Sequence, residues 1–461
     1  MLIMIIGIKK AIGRLLVGLS TCSSFPNSLL YVLRGVIRMQ AVILALHDSS
    51  HLRQLTTSRI VGQLPLGTRG SLLSNLVNVF ESAGIVDPII ICRSGDSKQV
   101  EKCLPEPHNC TIVEVSATLG IPECLYRVRD HFTCVPFAQY VFLTYADVVV
   151  TELDLRDLFL RMVRTKAEIV ALASPYTADA KLLKVARGTH DLMVLDDKDE
   201  SLVMYVPASE VRKQIRVPKS IMSSHSNLIC RADLHDVGMY LLSGYALRMI
   251  EYDRDDAGMR KSFFKQIVNV EQHKPFQFDI NSMTSQLPES LRYSPEEMPQ
   301  CAKVVISVLE NAPVCRRLDS ALSYLDAVKV IREKYPPENT KVEKSASAAS
   351  ASSRQSGQIV DTIQGEGCNL ANGALIRSCI ICANCTVGQG TRLFSSVLLF
   401  GVVVGSGCKI TNCVIGEGVT IDDNCTLKDC TVAAHQRIPA RSTMQSENMG
   451  FSEIDFDNLT I

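Results

Sequence analysis

Tryptophan is absent from this chain of 461 residues, and so is any excess of charge. Lysine and arginine total 48, and aspartate and glutamate total 48. A zero net charge gives no sign of a nucleic-acid-binding stripe or a polyanion partner. Histidine is scarce: after His273 only His435 follows. Long uncharged apolar runs are missing too. The opening MLIMIIGIKKAIGRLLVGLS is apolar but is broken by Lys9, Lys10 and Arg14, too short for a confident membrane span. No acid precedes Asp48. That composition would suit a mitochondrial presequence or an anchor. The simpler expectation for residues 1–38 is an over-long start, with Met39 the true first residue immediately before a strand. No membrane partner is expected.

What is present is an apolar content of 46%, ample for a large core, and a length suited to two or three domains. The last quarter carries the strongest pattern. Ile376, Ile381, Val387, Leu393, Leu398, Val404, Ile410, Ile415, Ile421 and Leu427 recur at spacings of five, six and six, which sum to 17. Thus Ile376, Leu393, Ile410 and Leu427 hold one equivalent position. Cys379, Ser396, Cys413 and Cys430 hold another, and Ala374, Thr391, Cys408 and Cys425 a third. This spacing is wrong for a helix and too long for one pleat. It predicts a left-handed hexapeptide-repeat β-helix, each coil turning three inward apolar residues onto one core. One coil cannot bury its own inner face, so stacking is obligatory. Gly388, Gly405 and Gly416 follow apolar residues and are expected at corners needing positive φ. Acyltransferases with such coils need a catalytic histidine between subunits, and His435 lies beyond the last coil, which argues against that chemistry.

The chain has 17 cysteines. Cys379, Cys382 and Cys385 have the spacing of a zinc knuckle. Cys379 also belongs to a packing ladder, and residues locked into coils do not converge easily on a tetrahedral ion. Buried thiols are therefore expected, with no metal and no cofactor, in a reducing compartment.

From Gln40 onward, strands alternate with helices. Ala41–Leu46, Pro88–Cys92, Thr111–Val115, Val141–Thr144 and Glu168–Ala173 read as apolar strands. Ser71–Ala83 and Leu153–Thr165 read as helices between them. Leu192–Asp196 and Ser201–Val206 suggest a hairpin, and Asp233–Leu242 another strand. Helices are expected over 258–272 and Ala321–Glu333. The pattern is that of a doubly wound α/β, Rossmann-like sheet. Ligands on such sheets lie at the carboxyl ends of strands, here after Leu46 and after Thr144. A segment rich in Ser, Ala and Lys then reads as a linker. The expected boundaries are 1–38 for the extension, 39–335 for the sheet domain, 336–358 for the linker, 359–440 for the β-helix and 441–461 for an acidic tail.

This combination resembles the sugar-phosphate nucleotidyltransferase family, in which a nucleotidyltransferase-like domain precedes a hexapeptide β-helix. The family's first loop reads G-G-G-x-x-R, then L-T, then P-K-P-L-L-P-V-G. Here Ala45 to Leu52 lies against it without a gap, Leu55-Thr56 matches L-T, and Leu64-Pro65-Leu66-Gly67 matches L-P-V-G. His47, Asp48 and Ser49 stand for the glycines, His51 for the arginine and Val61 for the lysine. The glycines let backbone N–H groups approach a triphosphate, and the two cations neutralise the transferred phosphoryl group. Their loss implies a pseudoenzyme. Arg59 and Arg69 are near in sequence as substitute cations. Asp147 falls where the family places a Mg²⁺-binding aspartate, here as a vestigial metal ligand or as a cap on the turn before Leu153.

Within the family the resemblance falls on the gamma-type subunits of the guanine-nucleotide exchange factor for translation initiation factor two. Leu234 to Tyr240, Arg377 to Ile381, Lys409 to Gly416 and the acidic ending with Phe451 and Phe456 carry it. It implies a cytosolic, non-catalytic subunit that supports an epsilon-type catalytic partner. It also implies docking on alpha, beta and delta core subunits and surface offered to initiation factor two. Val397, Leu399 and Phe400 would be costly in water and are expected at the subunit interface, unless they pack beneath a loop of the same chain. The competing reading is a regulatory, inactive pyrophosphorylase paralogue that binds a GDP-sugar.

Overall fold

The computed structural model describes residues 39–451 apart from 47–49, 86, 106–107, 117–118, 129–130, 132–139, 176–190, 207–210, 212–215, 248–302, 310–314 and 337–357. Residues 1–38, the helix expected over 258–272, nearly all of the expected linker and the end of the tail lie outside the described residues.

The first domain is built on a seven-stranded sheet. Its strands are β1 (Met39–Leu44), β2 (Ile89–Arg93), β3 (Thr111–Val115), β4 (Tyr140–Tyr145), β6 (Ile169–Pro175), β10 (Leu234–Ser243) and β11 (Val304–Val308), with β5 (Val148–Val150) lying outside it. Their spatial order is β11-β6-β10-β4-β1-β2-β3. The pairs β1–β2, β1–β4, β2–β3 and β6–β11 are parallel. Only β10 runs antiparallel, between β4 and β6. The central strands are apolar throughout because helices cover both faces, so Ala41 to Leu44 are wholly buried. Helix α1 (Leu72–Ser82) begins at Ser71, whose side chain accepts from the Ser74 amide in a capping box. Helix α2 (Leu155–Thr165) precedes β6. A satellite sheet of β7 (Leu192–Asp196), β8 (Leu202–Val206) and β9 (Leu228–Arg231) joins one edge. Sequence periodicity did not mark β5, β9, β11 or β12 (Cys315–Arg317), which are short apolar or mixed runs without alternation.

The second domain is a left-handed β-helix of three parallel sheets with six, six and five strands. Ile376, Leu393, Ile410 and Leu427 stand in one ladder, each paired with the next. Ile381, Leu398 and Ile415 form the second. Val387, Val404 and Ile421 form the third. All ten are buried in one core with Cys379, Cys385, Cys408, Cys413, Cys425 and Cys430. Strand pairing continues through Thr443–Gln445 and Asn448–Met449.

The glycines do a different job from the one expected. Positive φ at the corners falls largely to polar residues, such as Ser378 (57°), Asn412 (57°) and Asp429 (53°), one coil apart. Gly388 and Gly405 are needed for close approach instead. A Cβ on Gly388 would lie 2.6 Å from the Gly405 carbonyl carbon, and one on Gly405 2.8 Å from the Asp422 carbonyl carbon. Gly416 is alike, with the Ala434 nitrogen at 2.6 Å. No real Cβ tolerates such contacts, so the backbones of successive coils touch there only because a side chain is missing.

Helix α3 (Ala321–Lys334) joins the two domains. Ser320 caps it through the Ser323 amide, and Leu325, Val328 and Ile331 are buried along it. Among the described residues no helix is long and apolar enough to cross a membrane.

Candidate functional site at the domain junction

The carboxyl ends of β1 and β4 are where a phosphate-binding loop would lie. Residues 47–49, with His47, Asp48 and Ser49, fall outside the described residues. His51 lies in a helical turn, Ser50–Arg53. The position of the family lysine is described in full. Val61 is wholly buried in an apolar cluster with Leu52, Leu55, Leu64 and Leu66. A lysine here would need its ammonium taken into that cluster, which is costly without a partner. The valine therefore belongs to the junction core and does no phosphate chemistry.

Asp147 follows β4 and is wholly buried. Its carboxylate accepts two hydrogen bonds from Arg317 Nε, at 2.9 and 3.1 Å. The guanidinium lies 3.9 Å from the centroid of the Tyr145 ring. Asp147 also accepts the Leu318 amide on its backbone oxygen at 2.9 Å. Neither the metal role nor the capping role assigned to Asp147 describes this arrangement. The carboxylate is neutralised by a fixed cation, and it locks β12 against β5. Gly238, at φ 78°, makes room: a Cβ there would meet Tyr145 Cδ2 at 3.0 Å and Arg317 Cδ at 3.3 Å. Close by, the buried Asp236 accepts from the Gly238 amide at 2.9 Å and the Tyr240 hydroxyl at 2.5 Å. Sequence reading placed this segment on a strand but did not single out Asp236, because one aspartate within an apolar run carries no spacing signal.

The expected subunit interface is corrected by the same cluster. Val397 is 1% exposed and Leu399 0% exposed. Both pack with Ile380, Cys382 and Val414 against Tyr324, Leu325 and Val328 of α3 and against Leu52, Leu55 and Leu64. Phe400 is half-buried on the rim, beneath Arg59, whose guanidinium carbon is 3.9 Å from the ring centroid. The outward apolar residues of this β-helix face are thus covered by the chain itself. At roughly 25 cal/mol per Å² of apolar area, such burial is what holds the domains together.

A polar clamp surrounds the cluster. Glu417 accepts the Ser58 hydroxyl at 2.5 Å and Arg59 Nε at 3.3 Å. The Glu417 amide donates to the Leu55 carbonyl at 2.9 Å, and the Ala434 amide to the Gln54 carbonyl at 2.8 Å. His435 Nε2 meets the Thr57 hydroxyl at 2.8 Å. Lys329 reaches Asn412, and Arg332 reaches the Ser378 carbonyl. The stretch that resembles a nucleotide-binding signature, residues 52–66, is therefore the main docking strap for the β-helix. Arg59 and Arg69 point into this junction, Arg69 lying 4.1 Å from the Tyr335 ring centroid.

The three knuckle-spaced thiols diverge. Cys379 and Cys385 face the β-helix core, whereas Cys382 faces the junction cluster. Burial raises Cys379 and Cys385 to about 11 and pushes Cys382 up as well, disfavouring the thiolate that a zinc ion requires. Among the described residues no histidine, cysteine and carboxylate groups gather as a metal site.

Comparison with known proteins adds two findings. Residues 342–448 match the family described as the GMPPB C-terminal domain. The translation initiation factor eIF2B subunit gamma of Dictyostelium discoideum is 25% identical over 244 residues, 48% of this chain and 53% of that protein. The chain is matched over about half the length of that curated relative. These similarities bear out the resemblance drawn from the motifs, both in the coils and in the gamma-type subunit.

Proposed function

We propose that this chain is a non-catalytic, gamma-type subunit of the exchange factor that returns translation initiation factor two to its GTP form. The observation that carries the reading is the similarity to an eIF2B gamma subunit, joined to the use of the signature stretch as a structural strap. A position that must hold a cation for phosphoryl transfer is here a buried valine. On this reading the chain works by binding in the cytosol. It supports an epsilon-type subunit that performs GDP release, and the pair docks on alpha, beta and delta core subunits. With Val397 and Leu399 covered internally, the subunit contacts fall on other surfaces.

Affinity purification of the tagged chain at moderate salt, followed by mass spectrometry, tests this. Recovery of an epsilon-type subunit together with subunits of initiation factor two is the expected result. The reconstituted pair, and not this chain alone, is expected to accelerate release of a fluorescent GDP. Recovery of a pyrophosphorylase and nothing of the translation machinery would sink the proposal.

The match to the GMPPB C-terminal domain favours a second reading, a regulatory paralogue that senses a sugar nucleotide. It requires saturable binding of GDP-mannose by the purified chain, and calorimetry distinguishes the two.

A further inference from the structure

Beside the strap, between the start of α1 and the β-helix, lies an open cavity of about 580 Å³. Arg59, Arg69 and Lys102 line it, with Ser71 and Asn78 from the α1 side and Phe400 from the β-helix. No carboxylate is among its lining residues. The nearest charge partner is Glu417, and it engages Arg59 only through Nε. Among the described residues no hydrogen bond or ion pair engages the Nη groups of Arg59, the guanidinium of Arg69 or the Lys102 ammonium. Phe400 and Tyr335 hold the two guanidinium planes by stacking, which fixes their direction while leaving their donors open.

Three cations around one cavity repel one another, and that repulsion is relieved by a bound anion. Guanidinium forks match the oxygens of a phosphate, and a neighbouring ammonium adds a point charge. The cavity is larger than a phosphate ion needs and falls in the range of sites for small organic ligands, roughly 300–1,000 Å³. The Ser71 hydroxyl and Asn78 amide supply neutral polar contacts suited to a sugar.

We infer that this cavity binds a small phosphate monoester, a sugar phosphate or a mononucleotide, at a site separate from the degenerate loop His47 to His51. Its ligand bridges both domains, because Arg59 belongs at once to the cavity and to the Glu417 clamp. Binding therefore braces the sheet domain against the β-helix. This inference does not depend on the exchange-factor reading.

Calorimetry on the full chain at constant ionic strength, with glucose 1-phosphate, GMP and inorganic phosphate as separate titrants, tests it. Saturable binding of one of the two monoesters is expected, with a rise in melting temperature. Arg69→Gln and Lys102→Gln are each expected to weaken it by about tenfold or more, while His51→Ala leaves it unchanged. Lys102 is exposed, so its variant keeps the fold even where Arg69→Gln does not. Several results overturn the inference. Neither monoester saturates, inorganic phosphate alone binds, Lys102→Gln retains full affinity, or His51→Ala abolishes binding. Partner capture is measured separately, so failure here leaves the proposed function standing, and the reverse also holds.

Discussion

Leu399 shows how far one residue's role depends on what covers it. It is fully buried under α3 and the strap, so Leu399→Ala leaves a cavity inside the chain. A loss of about 2–5 kcal/mol in urea unfolding is expected, the usual cost of a large-to-small core change. A surface role would leave stability nearly unchanged and reduce partner capture alone. Glu417 is the polar counterpart. Glu417→Gln keeps the shape but removes a charge-assisted acceptor from Ser58 and Arg59, and is expected to cost about 1–3 kcal/mol by the same measurement. The thiols make a third case. Cys230 is exposed, whereas burial holds Cys379 and Cys385 at about 11. Iodoacetamide at pH 8 is therefore expected to label Cys230 in the native protein and the other two only on unfolding, as read by peptide mass spectrometry. Asp147 and Val61 were both singled out by comparison with an active site. In both, burial turned a would-be functional position into a structural one.

At the scale of elements, the β-helix was the most legible part of the chain and the strap the least. A coil repeats its environment every 17 residues, so the pattern from Ile376 to Leu427 is written many times over. The strap, residues 52–66, occurs once, and its apolar positions are shared between a turn, two short helical segments and a distant partner. No periodicity announces that. The glycines between coils yield a prediction at this scale. Gly405→Val places side-chain carbon on the next coil's backbone, and separation of the coils around Val404 and Ile421 is expected. A loss of at least about 3 kcal/mol should follow, at or beyond the upper end for overpacking, because backbone cannot move aside. Hydrogen exchange should report faster exchange of the Gly405 and Asp422 amides, which donate into the next coil.

At the scale of the whole molecule, the junction makes two domains behave as one. The apolar cluster and its clamp draw on the sheet domain, α3 and the β-helix together. One cooperative unfolding transition is expected, with far-ultraviolet dichroism and thiol exposure changing together. Two separated transitions would show that the junction adds little. Weakening the junction by Leu399→Ala should begin to split the transition, a result that loss from an independent core would not produce.

Hydropathy spacing alone determined the β-helix, the alternation that builds the sheet domain and the loss of the phosphate-binding chemistry, because each is written in residue type at short or regular intervals. Only the tertiary structure decided which side of the β-helix is covered, what Asp147 holds and why Val61 replaces a cation. Those answers depend on contacts between residues more than 150 apart in the chain, as from Asp147 to Arg317 and from Ser58 to Glu417. Such contacts are fixed by shape and burial after the elements have formed, and no local pattern encodes them.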